Sequence, residues 1–287
     1  MRRPVNPATR TRWRERWIVS AGRHAVLLLA CAVTVVPIVF LALSSFKSLE
    51  EFFQHPYGLP PVWRTGNYAQ AWTEAQVATT LINSTLATAG GVLLNLALTM
   101  PASYALARLR FRFRWLVYLG FVGGMVVPLQ LILLPLLLTM ARLQLSGSRL
   151  SLVLAYAALT IPMSVLFLTS FINALPASIE EAARVDGAGT GRIIWSIVLP
   201  LTRPGLAAVA ILTGVWIWND FIVALILATR PSLQTLPVGI MSFFGVYSTE
   251  WTLAFASVCI AAAPLLGAYL FMTRQFIAGL TSGALKG

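Results

Sequence analysis

Few residues of this chain could do chemistry, and the most conspicuous is Asp220. It follows Asn219, stands close to Trp216 and Trp218, and is the one charge inside a long apolar run. Carboxylate and amide groups exchange hydrogen bonds with hydroxyls, and an indole face offers a flat stacking surface. An ionisable group in hydrocarbon costs about 2.5–3.5 kcal/mol at a helix centre, so Asp220 must face a polar cavity or a partner group. The competing reading is an Asp near the outer end of its helix that pairs with an Asn or Ser of a neighbour and never meets a solute. Asn83, Asn95 and Gln130 are lesser candidates of the same kind, because an amide within an apolar helix more often bonds across helices.

A second set of residues is conformational rather than reactive. Ser178 followed by Glu181 has the spacing of a capping box, Pro176 lies just upstream, and Glu180 and Glu181 put negative charge where a helix N-terminus favours it. These residues predict a short helix starting near Ile179 and closed by Gly187, Gly189 and Gly191. Two turns are too few to be stable alone in water, so something must pack against them. Ala182, Ala183 and Gly187 offer a small-residue surface that a partner can approach closely.

Other chemistries find no residues. His24 and His55 fall in different compartments, and Cys31 and Cys259 sit inside apolar runs as small apolar residues. The only lysines, Lys47 and Lys286, belong to no phosphate-binding GxxxxGK[ST] loop, so this chain is expected to bind no cofactor itself. An intramembrane enzyme acting on lipid-linked or glycosyl substrates is the alternative class. It needs paired aspartates, a Ser-His pair or an HExxH site, and none is present.

The elements that must position these residues follow from composition. Of 287 residues, 58% are hydrophobic and 10% charged, which all but excludes a water-soluble enzyme. Six runs, approximately 25–45, 81–107, 115–139, 150–171, 206–228 and 253–272, reach the roughly 20 residues that a bilayer-spanning helix needs. The expected fold is all-α, a polytopic membrane helix bundle of six transmembrane helices with a short cytoplasmic helix in the 173–205 loop. Residues 25–273 form the membrane domain, preceded by an Arg-rich tail, 1–24, and followed by a tail, 274–287. The first run reads as a retained helix rather than a secretory signal. Prolines in five runs, at Pro37, Pro101, Pro128, Pro135, Pro162 and Pro264, predict kinks. Sixteen Lys and Arg fall on the side holding both termini and five on the other, which makes both termini cytoplasmic. The net charge of +12 is thereby assigned to orientation and to anionic lipid headgroups, and no nucleic-acid partner is expected.

Glu181-Ala182-Ala183, then Gly187, then Ile197 and Leu199-Pro200, resembles the EAA motif of permease subunits of ATP-binding-cassette importers. The ending from Arg274 to Gly287, with Asn83-Ser84, the Tyr104 to Arg108 stretch, Trp218-Asn219-Asp220-Phe221 and the Thr235 to Gly239 stretch, is similar to the carbohydrate-uptake branch, in particular the second permease of maltose-type systems. The resemblance implies that Ser178, Glu181, Ala182, Ala183, Asp186, Gly187, Ile197, Leu199 and Pro200 couple this chain to an ATPase. It also implies a second permease, two cytoplasmic ATP-binding-cassette subunits that use ATP and Mg, and an extracytoplasmic solute-binding protein in a prokaryotic inner membrane. The candidates for the sugar path are Asp220, Asn219, Trp218, Asn83 and Gln130.

Overall fold

The computed structural model describes the backbone of residues 7–245 and 249–284, with side chains at 20, 22–245 and 249–267. Most of the Arg-rich tail and the whole 274–287 motif lie outside those side chains. The chain order is α1 (Pro7–Ser44), α2 (Leu49–Gln54), α3 (Gly66–Glu74), α4 (Val77–Arg108), α5 (Arg114–Val126), α6 (Leu129–Arg142) and α7 (Arg149–Asn173). It continues with α8 (Ala177–Val185), α9 (Thr190–Ile193), α10 (Leu199–Leu201), α11 (Arg203–Asn219), α12 (Ile222–Leu227), α13 (Leu236–Ile240) and α14 (Trp251–Ala284). Among the described residues the only β pairing is an isolated bridge between Phe244 and Thr249, so the fold is all-α.

Length and composition make Gly22–Ser44 of α1, α4 and α7 each sufficient to cross a membrane. Two bent pairs raise that number to five, and Trp251–Gly267 is a further, shorter apolar stretch within α14. The expected third span is not one helix: α5 and α6 meet at 104°. Pro128 supplies no N–H to the preceding turn and drives Val127 into an extended conformation (φ −71°, ψ 119°), so the chain turns there and restarts at Leu129. The expected fifth span is also divided, because α11 ends at Asn219 and Asp220 is extended (φ −68°, ψ 129°) before α12 begins. Helices run on through Pro37, Pro101, Pro135, Pro162 and Pro264.

The centre of the bundle is the α4–α7 pair, with α11 packed against both. Gly91 makes this contact possible: a Cβ there would lie 3.0 Å from Ile217 Cδ1 and 3.2 Å from Tyr156 Cβ. Asn95 donates to Thr160 Oγ1 at 2.9 Å, and Ser103 donates to the Val165 carbonyl at 3.2 Å. These bonds place buried polar groups between helices, where no water would solvate them. By contrast, α1 exposes Val26, Leu27, Leu28 and Leu29 in succession, so its stretch 25–39 is apolar on every side and suited to lipid.

At the end of the bundle away from the 173–205 loop, Lys47 is 1% exposed and donates to the carbonyls of His55 and Pro56, both at 2.8 Å. Burial holds its ammonium below the usual lysine range, partly offset by Glu51. A capping box at Ser48 and Glu51 opens α2 beside it.

Candidate functional site

The 173–205 loop is built as expected in outline and differently in its hydrogen bonds. α8 starts at Ala177 with Pro176 at its N-cap, two residues before the expected Ile179, and no side chain caps it. Ser178 therefore lies inside the helix, exposed, and the predicted capping box with Glu181 does not form. Proline's fixed φ starts the helix upstream of the serine, and the carboxylate that does the fixing is the neighbouring Glu180.

Glu180 is 4% exposed. Its Oε1 accepts from Arg108 Nε at 2.7 Å and its Oε2 from the Tyr104 hydroxyl at 3.1 Å. Arg108 also donates through Nη2 to the Ile172 and Leu175 carbonyls, at 2.9 and 2.8 Å, in the last turn of α7 and just past its end. One guanidinium thus ties together the ends of α4 and α7 and the base of α8. Sequence reasoning missed this clamp because Glu180 was credited only with a dipole interaction. The available signal was Tyr104 and Arg108 at i and i+4, on one helix face.

The far end of α8 closes as the glycine predicted. Gly187 has φ +82°, its N–H donates to the Arg184 carbonyl at 3.0 Å, and the Ala188 N–H donates to the Ala183 carbonyl at 2.9 Å. This is a Schellman pair, and the left-handed residue it requires favours glycine. Ala183 and Ala188 pack towards a buried cluster of Met100, Tyr104, Ile172, Ile193 and Val198, with Ile197 and Leu199 beside them. Glu181, Ala182, Asp186 and Gly187 are exposed, and so are two apolar side chains, Ile179 (41%) and Val185 (88%). Beyond α9 a π-helical turn, Ile194–Val198, leads into Leu199-Pro200, and Thr190–Leu201 meets α11 at 73°.

The predicted path residues do not converge. Asp220 Oδ2 accepts from the Tyr156 hydroxyl at 3.0 Å and from the Ala224 N–H at 3.1 Å, so it joins α7 to the first turn of α12. Trp218 instead lines an apolar cavity of about 570 Å³ bounded by α4, α11 and α14, with Thr85, Thr88 and Gly214. Asn219 is exposed at the helix break and donates to the Val215 carbonyl at 2.8 Å. Asn83 is buried; its amide nitrogen donates to the Ser232 and Gln234 carbonyls and its oxygen accepts from Arg149. Gln130 is exposed in the first turn of α6.

Residues 97–276 match the family described as "Binding-protein-dependent transport system inner membrane component". The diacetylchitobiose uptake system permease protein NgcG of Streptomyces coelicolor is 33% identical over 269 residues, 93% of this chain and 89% of that protein. The arabinooligosaccharides transport system permease protein AraQ of Halalkalibacterium halodurans is 30% identical over 94% of this chain and 96% of its own length. The sulfoquinovosyl glycerol transport system permease protein SmoH of Agrobacterium fabrum is 31% identical over 88% of each chain. In fold, the chain resembles a component of a bacterial ABC transporter involved in the import of the acidic polysaccharide alginate, with a TM-score of 0.78, 21% identity, and coverage of 96% of this chain and 100% of that one.

Proposed function

The chain belongs to the family of binding-protein-dependent transport system inner membrane components, and on that premise we propose that it is one of two membrane subunits of an ATP-driven importer of a mono- or oligosaccharide. Members of this family are permeases rather than enzymes, and this one is a multi-pass membrane protein. Three relatives are named for uptake of glycosides, which supports a sugar as cargo.

The observation that carries the mechanism is the asymmetry of α8. Its base is locked by Arg108 and Glu180 to the ends of α4 and α7, while Ile179, Ala182 and Val185 lie bare at a spacing of three residues. A helix so tethered and so exposed is suited to seat in a groove of a cytoplasmic ATPase. Closure of the ATPase pair then pushes α8, and the clamp passes the displacement to α4 and α7 as one body instead of bending the loop. ATP and Mg belong to the ATPase subunits. The membrane arrangement is six spans with both termini cytoplasmic, the third being the bent α5–α6 pair and the fifth α11 with α12 across the break at Asp220. The external segments 46–80 and 229–251 face a solute-binding protein. The sugar passes by the α11–α12 break, where Asn219 offers an amide and Asp220 ties the break to α7, while the Trp218 indole borders the neighbouring cavity against α4 and α14. Asn83 and Gln130 bear on the path through the connector that Asn83 binds and the α5–α6 turn.

The test is reconstitution of this chain with its second permease and ATPases in proteoliposomes, followed by ATP hydrolysis with and without sugar-loaded binding protein. Stimulation accompanied by sugar accumulation is expected. Association of the ATPase with a chain lacking 177–188 at wild-type affinity would overturn the reading.

A further inference from the structure

We propose that the cleft between the start of α5 and the end of α7 is a binding site for the phosphodiester headgroup of an anionic phospholipid. The cleft has a volume of about 550 Å³ and includes Arg112, Arg114, Trp115, Tyr118, Thr169 and Asn173 in its lining. Among the described residues that line it there is no carboxylate. Ion pairs among the described residues are Arg64 with Glu51 and Arg108 with Glu180, so Arg112 and Arg114 bring uncompensated positive charge to the cleft. The first turn of α5 adds to it, because no side chain caps the helix and no acidic residue stands in that turn.

Thr169 makes this more than a basic surface. It is 3% exposed, and its hydroxyl has no hydrogen-bond partner. A buried hydroxyl without a partner costs about 1–3 kcal/mol, so a donor lining a cationic cleft calls for an acceptor supplied from outside the chain. A phosphate oxygen is such an acceptor. The aromatic side distinguishes a lipid from a free anion. Trp115 and Tyr118 are stacked with centroids 6.0 Å apart, and Trp115 is 65% exposed. Amphipathic rings at the mouth of an apolar helix pair suit the headgroup level of a bilayer, and basic pockets between membrane helices on the cytoplasmic side take anionic headgroups.

The inference rests on the reading that this end of the bundle is cytoplasmic. The test uses the whole importer complex in detergent, with native mass spectrometry of retained lipid after incubation with dioleoyl phosphatidylglycerol, dioleoyl phosphatidylcholine or inorganic phosphate. Phosphatidylglycerol should be retained in preference to phosphatidylcholine, and Arg112→Gln with Arg114→Gln should weaken its retention about tenfold or more. Thr169→Val, which keeps both arginines, should weaken it severalfold, and Thr169→Ser should restore it. Equal retention of the two lipids, unchanged retention in Thr169→Val, displacement of lipid by equimolar inorganic phosphate, or lipid binding only after the ATPase subunits are stripped would each overturn the proposal. The last two results would assign the cleft to a free anion and to the ATPase, respectively. Arg110→Cys, probed with an impermeant maleimide, separates the premise from the inference. Labelling from outside the cell overturns the orientation, whereas cytoplasmic labelling without lipid preference overturns the lipid site alone.

Discussion

Arg108 and Glu180 meet at 2.7 Å with side chains 13% and 5% exposed, so either one alone would be a buried and uncompensated charge. Losing one partner of such a pair costs about 3–5 kcal/mol. Arg108→Ala should therefore lower the thermal unfolding temperature of the solubilised permease pair and abolish sugar-stimulated ATP hydrolysis. Tyr104→Phe, which removes one neutral donor to the same carboxylate, should cost about 1 kcal/mol and leave coupling intact. Equal damage from the two variants would show that the clamp is a packing unit and not a charge pair. At Asp220 the two accepted hydrogen bonds set the expectation. Asp220→Asn keeps a side-chain oxygen and should assemble while taking up sugar more slowly. Asp220→Leu strands the Tyr156 hydroxyl and the Ala224 amide, at about 1–3 kcal/mol each, and should be worse in both assembly and uptake. Wild-type uptake by Asp220→Leu, measured with labelled sugar, would remove Asp220 from the path.

The elements show how local chemistry is converted into shape. The turn after α8 depends on Gly187 at φ +82°, with open space where its Cβ would be. A β-branched side chain thus meets no neighbour, and its penalty there is in the backbone alone, about 1–2 kcal/mol. Gly187→Val should leave membrane insertion intact and weaken ATPase association, read by co-purification. Full association and transport would show that the turn can be remade. On the opposite face, the amide of Ser48 and then Arg64 hold the Glu51 carboxyl below the usual range against some desolvation. A depressed carboxylate stabilises the fold above its unfolded pKa and loses that contribution as pH falls through the lowered folded value. Hydrogen exchange in residues 49–54 should accordingly accelerate on acidification below the ordinary carboxylate range and stay flat between neutral and mildly acidic pH.

For the molecule as a whole, the α4–α7 pair and α11 make one body to which α8 is bolted at one end. α1 stands against α14, and its residues 22–39 are exposed, a stretch left for lipid or a partner. Reporter fusions after Lys286 and within residues 54–65 should fall on opposite sides of the membrane, the first cytoplasmic. Finding both on one side would require a different number of spans.

The sequence by itself determined that the chain is an apolar helical protein with its charges in connectors, and it marked out the short helix of the 173–205 loop, because hydrophobic run length, charge placement and the glycine of a helix end are local properties. Gly187 is the clearest instance, since a left-handed helix end can be read from one residue and its neighbours. Tertiary structure decided where runs break and which polar side chains meet. Pro128 and Pro135 look alike in sequence, yet the chain turns at the first and the helix continues through the second, an outcome that proline's local restrictions alone do not fix. In the same way Glu180, not Glu181, became the buried anchor, and Tyr156, absent from every motif, became the partner of Asp220. Both pairings join residues more than sixty positions apart, and in a low-dielectric interior a polar group takes whichever partner the packing brings within reach.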